Sequence, residues 1–237
     1  MARDIPGFFD ILLPSLTRSV VAGFNRRAFQ VPASEKINLD DLARSKLQPS
    51  MLFELAYSRA DQLLNNHDNW QDVIQSALSK QKRYFDYRET PSPSDEDLDF
   101  SGAVAKRIIG GLEFIRHTYR SDSLVIAPKI PGMHWIASSY GDFALDDHLI
   151  EIKCSARNFS RADYKQLVIY WLLLLADSRV HSSKPPNFGV LFNPRLNLIT
   201  TFGFEELIDI AGAGMNCVEL LGLFESLIGD YGERARL

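Results

Sequence analysis

Apolar residues recur at helical spacing in two stretches of the first hundred positions, one after Ser50 and one from Trp70 to Leu78. The second follows the i, i+3, i+4, i+7, i+8 pattern of an amphipathic helix, with Asp68 or Asn69 placed to cap it. The two stretches predict consecutive helices. The first 48 residues fit short strands and pieces of helix equally well.

A polar segment, Arg88–Asp99, separates these helices from the rest of the chain. It combines two prolines, serines and an acidic run without apolar periodicity, which predicts a linker or exposed loop. Ser101 then fits the N-cap of a further helix. The pattern therefore predicts a mainly helical N-terminal region over 1–97, packed on or beside a second domain over 98–237.

The second domain alternates strand-like and helix-like stretches, which predicts an α/β (α+β) fold with a central mixed sheet flanked by helices. One helix is unusually apolar and begins at a capping box, Ser160-x-x-Asp163, so it should be largely buried. The other elements predicted after it are strands over 188–192 and 197–202 and helices over 205–210 and 216–228. Before it the predicted strands cover 123–127, 134–139 leading into Asp142, and the Glu151 strand.

Residues 141–153 predict a β-hairpin that turns at Asp146-Asp147. A two-residue turn places Asp142 directly opposite Glu151, and Lys153 shares their face because side chains alternate along a strand. The other face would carry a buried apolar layer made of Phe143, Leu145, Ile150 and Ile152.

Opposed carboxylates repel each other at neutral pH, so Asp142 and Glu151 favour a bound cation. Oxygen ligands select Mg²⁺ or Mn²⁺ over zinc, and Mg²⁺ is commonly held by one or two carboxylates while water and phosphate complete its shell. The hairpin thus predicts a site for Mg²⁺ or Mn²⁺.

The order Asp142, then Glu151-Ile152-Lys153 resembles the motif of the PD-(D/E)XK nuclease superfamily, including its RecB-like and restriction-endonuclease-like members. Tyr140-Gly141 stands where the family has its proline, a position that varies widely. The order of elements over about residues 101–202 is also similar to the family's αβββαβ core.

The resemblance implies roles for individual residues. Asp142, Glu151 and the carbonyl of Ile152 would hold the metal, and Lys153 would assist the attacking water. Gln166, followed by Tyr170 on the same helix, matches a glutamine that orients water or phosphate in RecB-like members. Glu113 matches a glutamate on the helix before the sheet. The implied function is Mg²⁺-dependent hydrolysis of phosphodiester bonds in DNA, with RNA left open.

Other interpretations of these residues remain at this point. A Glu-x-Lys strand can be a solvated face, and Gln166 can simply satisfy a buried backbone group. A slipped register would make Asp146 a metal ligand instead of a turn residue. The alternative function is a catalytically inactive nuclease-fold protein that serves as a nucleic-acid-binding or assembly subunit. A third interpretation, a binding module of another α/β fold, would apply if the register were wrong.

Composition limits the partners. The 237 residues are 46% hydrophobic, enough for a sizeable core, and 26 Lys plus Arg against 30 Asp plus Glu give a net charge of −4. Phosphate contacts must therefore come from the ion and from local basic groups, such as Arg157, Arg161 and Lys165 after the motif.

Several classes of site are missing from the sequence. It has no P-loop, no Gly-x-Gly-x-x-Gly, no Gly-x-Ser-x-Gly and no His-Glu-x-x-His, so ATP-driven steps would need a protein partner such as an ATPase or helicase subunit. Cys154 and Cys217 lack metal-ligand spacing. The start does not have the pattern of a signal peptide, and the longest apolar run is too short to span a bilayer, which predicts a cytoplasmic protein without a membrane partner.

Overall fold

The computed structural model describes residues 7–32, 36–82 and 91–234. These residues form two compact units. The sheet unit comprises the described residues of Met1–Gln30, Arg120–Asn193 and Leu198–Leu237, and the helical unit those of Val31–Tyr119 and Pro194–Asn197. The elements follow in chain order: α1 (Phe8–Leu12), α2 (Arg18–Asn25), β1 (Phe29–Gln30), α3 (Leu39–Arg44), α4 (Pro49–Leu64), α5 (Trp70–Gln81), α6 (Asp95–Tyr119), β2 (Leu124–Ile126), β3 (Lys129–Ile130), β4 (Ser139–Tyr140), β5 (Phe143–Leu145), β6 (His148–Ile152), α7 (Arg161–His181), β7 (Phe188–Asn193), β8 (Leu198–Gly203), α8 (Phe204–Ala211) and α9 (Cys217–Arg234).

In the helical unit, α4 packs against both α5 and α6. The two helices predicted after Ser50 are confirmed as α4 and α5. Asn69 caps α5, because its side-chain oxygen accepts a hydrogen bond from the Gln71 N–H at 2.9 Å. Val73 and Ala77, on the apolar face of that helix, are buried. Among the described residues, no helix combines the length and the apolarity that crossing a bilayer would require.

The helix α6 begins at Asp95, seven residues earlier than a Ser101 cap predicts. The Asp97 carboxylate accepts hydrogen bonds from the Ser94 N–H and hydroxyl, and the Asp97 N–H bonds back to the Ser94 oxygen, so Ser94 and Asp97 form a capping box. Ser101 lies inside the helix. The linker prediction is therefore wrong for residues 95–99, and residues 83–90 lie outside the described part of the chain. The boundary predicted after residue 97 falls within α6, which belongs to the helical unit.

The sheet unit contains a mixed sheet of six strands in the order β1-β8-β7-β6-β5-β2. Neighbouring strands are antiparallel except β6 and β7, which are parallel and joined through α7. The helix α7 packs on β6 and β7, while α2 and α8 pack on β8. The predicted mixed sheet flanked by helices is confirmed. The ambiguous N-terminal stretches are the helices α1 and α2.

The hairpin of β5 and β6 has the predicted register. Phe143 pairs with Ile150, Ala144 with Leu149, and Leu145 with His148. The apolar layer predicted on one face is buried: Phe143, Leu145, Ile150 and Ile152 are each at most 3% exposed.

Asp146 occupies the turn of this hairpin with φ of 45°, a left-handed conformation that Asp tolerates better than most residues. Its carboxylate accepts hydrogen bonds from the hydroxyls of Ser121 and Ser123 and from the Asp122 N–H. The hydrogen bond from Ser121, followed by that from Ser123, lowers the pKa of the Asp146 carboxyl. The observed register and these bonds make Asp146 a turn residue.

The strand β5 also belongs to a long antiparallel ribbon, which is formed by the chain from β2 to β5. The pairs β2 with β5 and β3 with β4 share one register, and two hydrogen bonds bridge the gap between them, from the Ala127 N–H to the Asp142 carbonyl and from the Gly141 N–H to the Pro128 carbonyl. We call residues 129–140 the ribbon arm. It leaves the main sheet at the bridged gap, where Ala127 has φ of 49°.

The strand predicted over residues 134–139 is wrong except at its end. Most of this stretch forms the tip of the ribbon arm, a tight turn in which Met133 and Ile136 exchange backbone hydrogen bonds of 2.9 Å. Gly132 permits the turn, since a Cβ there would lie 2.6 Å from the Ile136 carbonyl oxygen. The Trp135 indole N–H donates to the Ile228 carbonyl at 2.8 Å, so the tip is anchored on α9.

His148, the first residue of β6, should make stability depend on pH. The residue is 5% exposed, its ring stacks on Phe188 with centroids 4.9 Å apart, and its Nδ1 lies 2.9 Å from a carboxylate oxygen of Asp147. Burial lowers the pKa of the imidazole, and Asp147 opposes this only in part. Because the folded-state pKa lies below the unfolded value, the unfolded chain binds the proton first as the pH falls.

The free energy of unfolding should therefore be highest above the ordinary histidine pKa. It should fall on acidification below about pH 6.5, with a slope of at most about 1.4 kcal/mol per pH unit from this group. Urea unfolding at several pH values measures the slope. His148→Gln should flatten it, whereas His67→Gln, a change at an exposed loop histidine, should leave it unchanged. Equal slopes in all three proteins would assign the pH dependence to other groups.

Candidate active site at the end of the hairpin

Asp142 lies at the point where the ribbon arm and the hairpin diverge. Its Oδ2 accepts a hydrogen bond of 2.7 Å from the N–H of Ile152. In the observed register, continued pairing would satisfy that N–H with the backbone at Gly141. The Gly141 N–H instead donates to the Pro128 carbonyl at 2.9 Å, and the Ile152 N–H bonds to the Asp142 carboxylate in place of the next bond of the sheet. This fixes the carboxylate against the peptide that joins Glu151 to Ile152.

Glu151 lies on the face of β6 that α7 covers, and it is 5% exposed. Its Oε1 accepts hydrogen bonds from Lys153 Nζ at 2.8 Å and from Gln166 Nε2 at 2.6 Å. A carboxylate buried to this degree needs such donors, because losing hydration without compensation is costly. The contacts place Glu151 at the centre of a polar cluster under α7.

Lys153 directly follows β6, and its N–H donates to the Phe192 carbonyl on β7 at 2.8 Å. Its Nζ bonds to Glu151 and also donates to Gln166 Oε1 at 3.0 Å. The side chain remains 21% exposed. Two side-chain oxygens, from Glu151 and Gln166, therefore hold the Lys153 ammonium. The side chain stays accessible to solvent and to a ligand that enters from solvent.

Gln166 connects the strand side of the cluster to the helix side. Its Nε2 bonds to Glu151 and to the Tyr170 hydroxyl, the latter at 3.0 Å, and both Gln166 and Tyr170 are buried on α7. The capping box Ser160 and Asp163, which the sequence predicts, starts this helix. It fixes the residue at which α7 begins. The alternative interpretation, that Gln166 only satisfies a buried backbone group, does not account for its hydrogen bonds to three side chains.

The structure therefore brings together Glu151, Lys153 and Gln166, with Asp142 on the adjoining peptide. The side chain of Ile152 is buried in the apolar layer, and the part of its carbonyl in metal binding remains a prediction. Glu113 lies on α6, in the helical unit, with an exposed side chain. Its place in the site also remains a prediction.

Two residues near the cluster were not predicted to belong to a site. Asp163, which the sequence identifies only as a cap, has Oδ1 4.0 Å from Lys153 Nζ. Asn193, at the end of β7, is fully buried, and its amide donates to the Ser155 and Arg157 carbonyls at 3.0 and 3.1 Å. It therefore fixes the loop after Lys153. In the sequence, the pair Asn193-Pro194 at the end of a strand indicates only a turn. Nothing in the sequence connects Asn193 to the loop that follows Lys153.

The basic residues after the motif differ in their surroundings. Arg161 lies 3.0 Å from the Asp10 carboxylate, and the Lys165 ammonium lies 4.7 Å above the Phe9 ring, so both are engaged with α1. Burial, more than the nearby Arg161, lowers the pKa of Lys165. Arg157 is exposed on the loop that Asn193 holds, and is the one of the three best placed to meet a phosphate from solvent.

The donor atoms at the site fit Mg²⁺ or Mn²⁺. Asp142, just before β5, and Glu151, on β6, supply carboxylate oxygens, which are the ligands that these hard cations prefer. In the part of the chain that the structure describes, His, Cys, Asp and Glu side chains form no group of three or more suited to a metal. An ion here would thus rely on two carboxylates plus a carbonyl, water or substrate oxygen.

Comparison of the chain with protein-family models, with curated proteins and with solved structures found no match.

Proposed function

We propose that the protein is a metal-dependent phosphodiester hydrolase that cleaves DNA. One observation carries the proposal: the Lys153 ammonium is held between the side-chain oxygens of Glu151 and Gln166, beside a carboxylate anchored on the next peptide. A buried charge pair with an exposed edge is poorly suited to stabilising the fold alone, since its desolvation cost offsets much of its attraction. It is well suited to binding a dianionic transition state.

The residues divide the work as follows. Asp142, Glu151 and the Ile152 carbonyl would hold Mg²⁺, which when bound would act as a Lewis acid on the phosphodiester and make the attacking water more acidic. Lys153 orients that water and offsets the negative charge that develops on the phosphoryl oxygens. Gln166 keeps the Lys153 ammonium and the Glu151 carboxylate in fixed relative positions through its amide.

The proposed fold is the restriction-endonuclease-like αβββαβ core of the PD-(D/E)XK superfamily. In its favour, the hairpin that carries Asp142 and Glu151 precedes α7, which carries Gln166 and Tyr170, and β7 then returns parallel to β6.

The test is cleavage of end-labelled single- and double-stranded DNA by the purified protein, with Mg²⁺ or with EDTA. The same reactions are repeated with any protein that co-purifies, because an ATPase or helicase partner would supply ATP-driven steps. Metal-dependent products that are lost in the Lys153→Ala variant support the proposal. Intact substrate under every condition, from a folded protein that binds metal, contradicts it.

A further inference from the structure

The outer face of the ribbon arm presents an aromatic ring and a cation next to the candidate active site. Tyr140 and Lys129 are directly paired across β3 and β4, and both side chains are exposed, Tyr140 by 64%. On the inner face Ile130 is fully buried in the core. The arm thus has one face committed to packing and one face open to a ligand.

The backbone ties this outer pair to Asp142. Tyr140 precedes Asp142 by two residues, and the hydrogen bonds from Gly141 to Pro128 and from Ala127 to Asp142 hold both sides of the ribbon at that point. Two residues of chain span at most about 7 Å, which is close to the rise of two stacked nucleotides. A base on Tyr140 would therefore lie one or two nucleotides from a phosphate at Asp142.

We infer that Tyr140 and Lys129 form a binding platform for unpaired nucleotides, with the ring stacking on a base and the ammonium contacting the backbone. This inference rests on the proposed function for the choice of a polynucleotide as ligand. Stacking needs a base face that a duplex keeps inside its own stack, so the platform favours a single strand over a duplex. A local cation is also needed, since the net charge of −4 repels phosphate.

Binding is measured by fluorescence anisotropy in EDTA, where cleavage is prevented, using labelled oligothymidylate, oligouridylate and a DNA duplex. Tyr140→Ala should weaken single-strand binding at least about fivefold and change duplex binding by less than about twofold. Tyr140→Phe keeps the ring and should bind like the parent. Tyr119→Ala, at an exposed tyrosine of the helical unit, is the matched control. The thymidylate and uridylate arms distinguish DNA from RNA as the source of the strand.

Lys129→Gln gives an independent readout. Each phosphate that a cation neutralises contributes about 0.7 to the slope of log affinity against log salt for a single strand. Lys129→Gln should reduce that slope by about 0.7, whereas Tyr140→Ala should lower affinity without changing the slope. In the parent protein, an oligonucleotide carrying 4-thiothymidine should crosslink to the peptide that contains Tyr140. This last measurement needs no substitution and so does not depend on how a variant folds.

The outcomes separate this inference from the proposed function. Single-strand binding that depends on Tyr140, in a protein that never cleaves, would leave the platform standing and overturn the hydrolase. Cleavage with binding unaffected by Tyr140→Ala, or with equal losses on single strand and duplex, would overturn the platform alone. A parent protein that binds no oligonucleotide, or crosslinks only elsewhere, would also overturn it and leave the arm as a surface for a protein partner.

Discussion

Removing the divalent metal should abolish cleavage. With Mg²⁺ or Mn²⁺ the protein should hydrolyse labelled DNA, and in excess EDTA the rate should fall to the uncatalysed background. The physical reason is charge: the Asp142 and Glu151 carboxylates repel a phosphodiester, and no His or Cys group among the described residues offers another metal site. Ca²⁺ should support binding but little turnover, because its looser coordination holds water and phosphate less well in line.

Asp142→Asn should reproduce the effect of EDTA while leaving the fold intact. The amide oxygen can still accept the Ile152 N–H bond, so the free energy of unfolding should change by less than about 1 kcal/mol. Titration calorimetry with Mn²⁺ should show weakened metal binding. Asp142→Ala should in addition lower the free energy of unfolding by about 1–3 kcal/mol, because it removes the acceptor of a partly buried N–H.

The exposed Asp209 of α8 provides the matched control, and Asp209→Asn should cleave and bind Mn²⁺ like the parent. Activity that survives excess EDTA, or an Asp142→Asn variant with full activity, would contradict the metal site. Loss of activity together with loss of fold in Asp142→Asn would show that the fold depends on the negative charge at Asp142, and not only on the acceptor that asparagine retains.

The hairpin is the part of the site that the sequence predicts well. Alternating burial fixes which residues share a face, and a two-residue turn fixes the register, so Glu151 and Lys153 follow from local rules alone. The capping box at Ser160 likewise fixes where α7 begins. These features succeed because each depends on residues a few positions apart.

The ribbon arm shows where such rules end. The stretch 134–139 has the composition of a strand, yet the chain turns at Met133–Ile136 and packs its tip on α9. Ala127 and His134 both adopt left-handed conformations in this region, and alanine gives no sign of one because it rarely has a positive φ. The prediction of where α6 begins was wrong for a different reason. Ser94 and Asp97 form a capping box inside a segment whose composition resembles a linker.

The bond between Gln166 and Lys153 is also beyond local rules. The sequence places Gln166 on the buried helix, but its contact with Lys153 requires α7 to lie over β6 at one particular rotation. That rotation is set by apolar packing along the whole helix, which a pattern nearly apolar on all sides does not reveal. The resemblance to the nuclease family was enough to predict Gln166 as a site residue. It was not enough to predict which side chains Gln166 contacts.

Replacing Lys153 with alanine should lower the turnover number by at least about 10²-fold, the scale observed when one preorganised charge or donor is removed. The substrate dissociation constant should change much less, because the ammonium acts mainly on charge that develops in the transition state. Lys153→Arg should recover little activity. A planar guanidinium cannot hold its nitrogen at the same point between the Glu151 and Gln166 oxygens.

The substitution also removes a donor from a carboxylate that is 5% exposed, so the free energy of unfolding should fall by about 1–3 kcal/mol. Gln166 still donates to Glu151, which limits the loss and keeps the variant folded at the assay temperature. Lys184→Ala, at an exposed loop position, controls for the loss of one positive charge. Melting curves and Mn²⁺ titration separate a folded, metal-binding, inactive variant from a misfolded one.

If Lys153→Ala cleaves at the parent rate, the cluster stabilises the fold and the hydrolytic site lies elsewhere. If neither protein cleaves yet both bind DNA or a protein partner equally well, the non-catalytic subunit is the better interpretation.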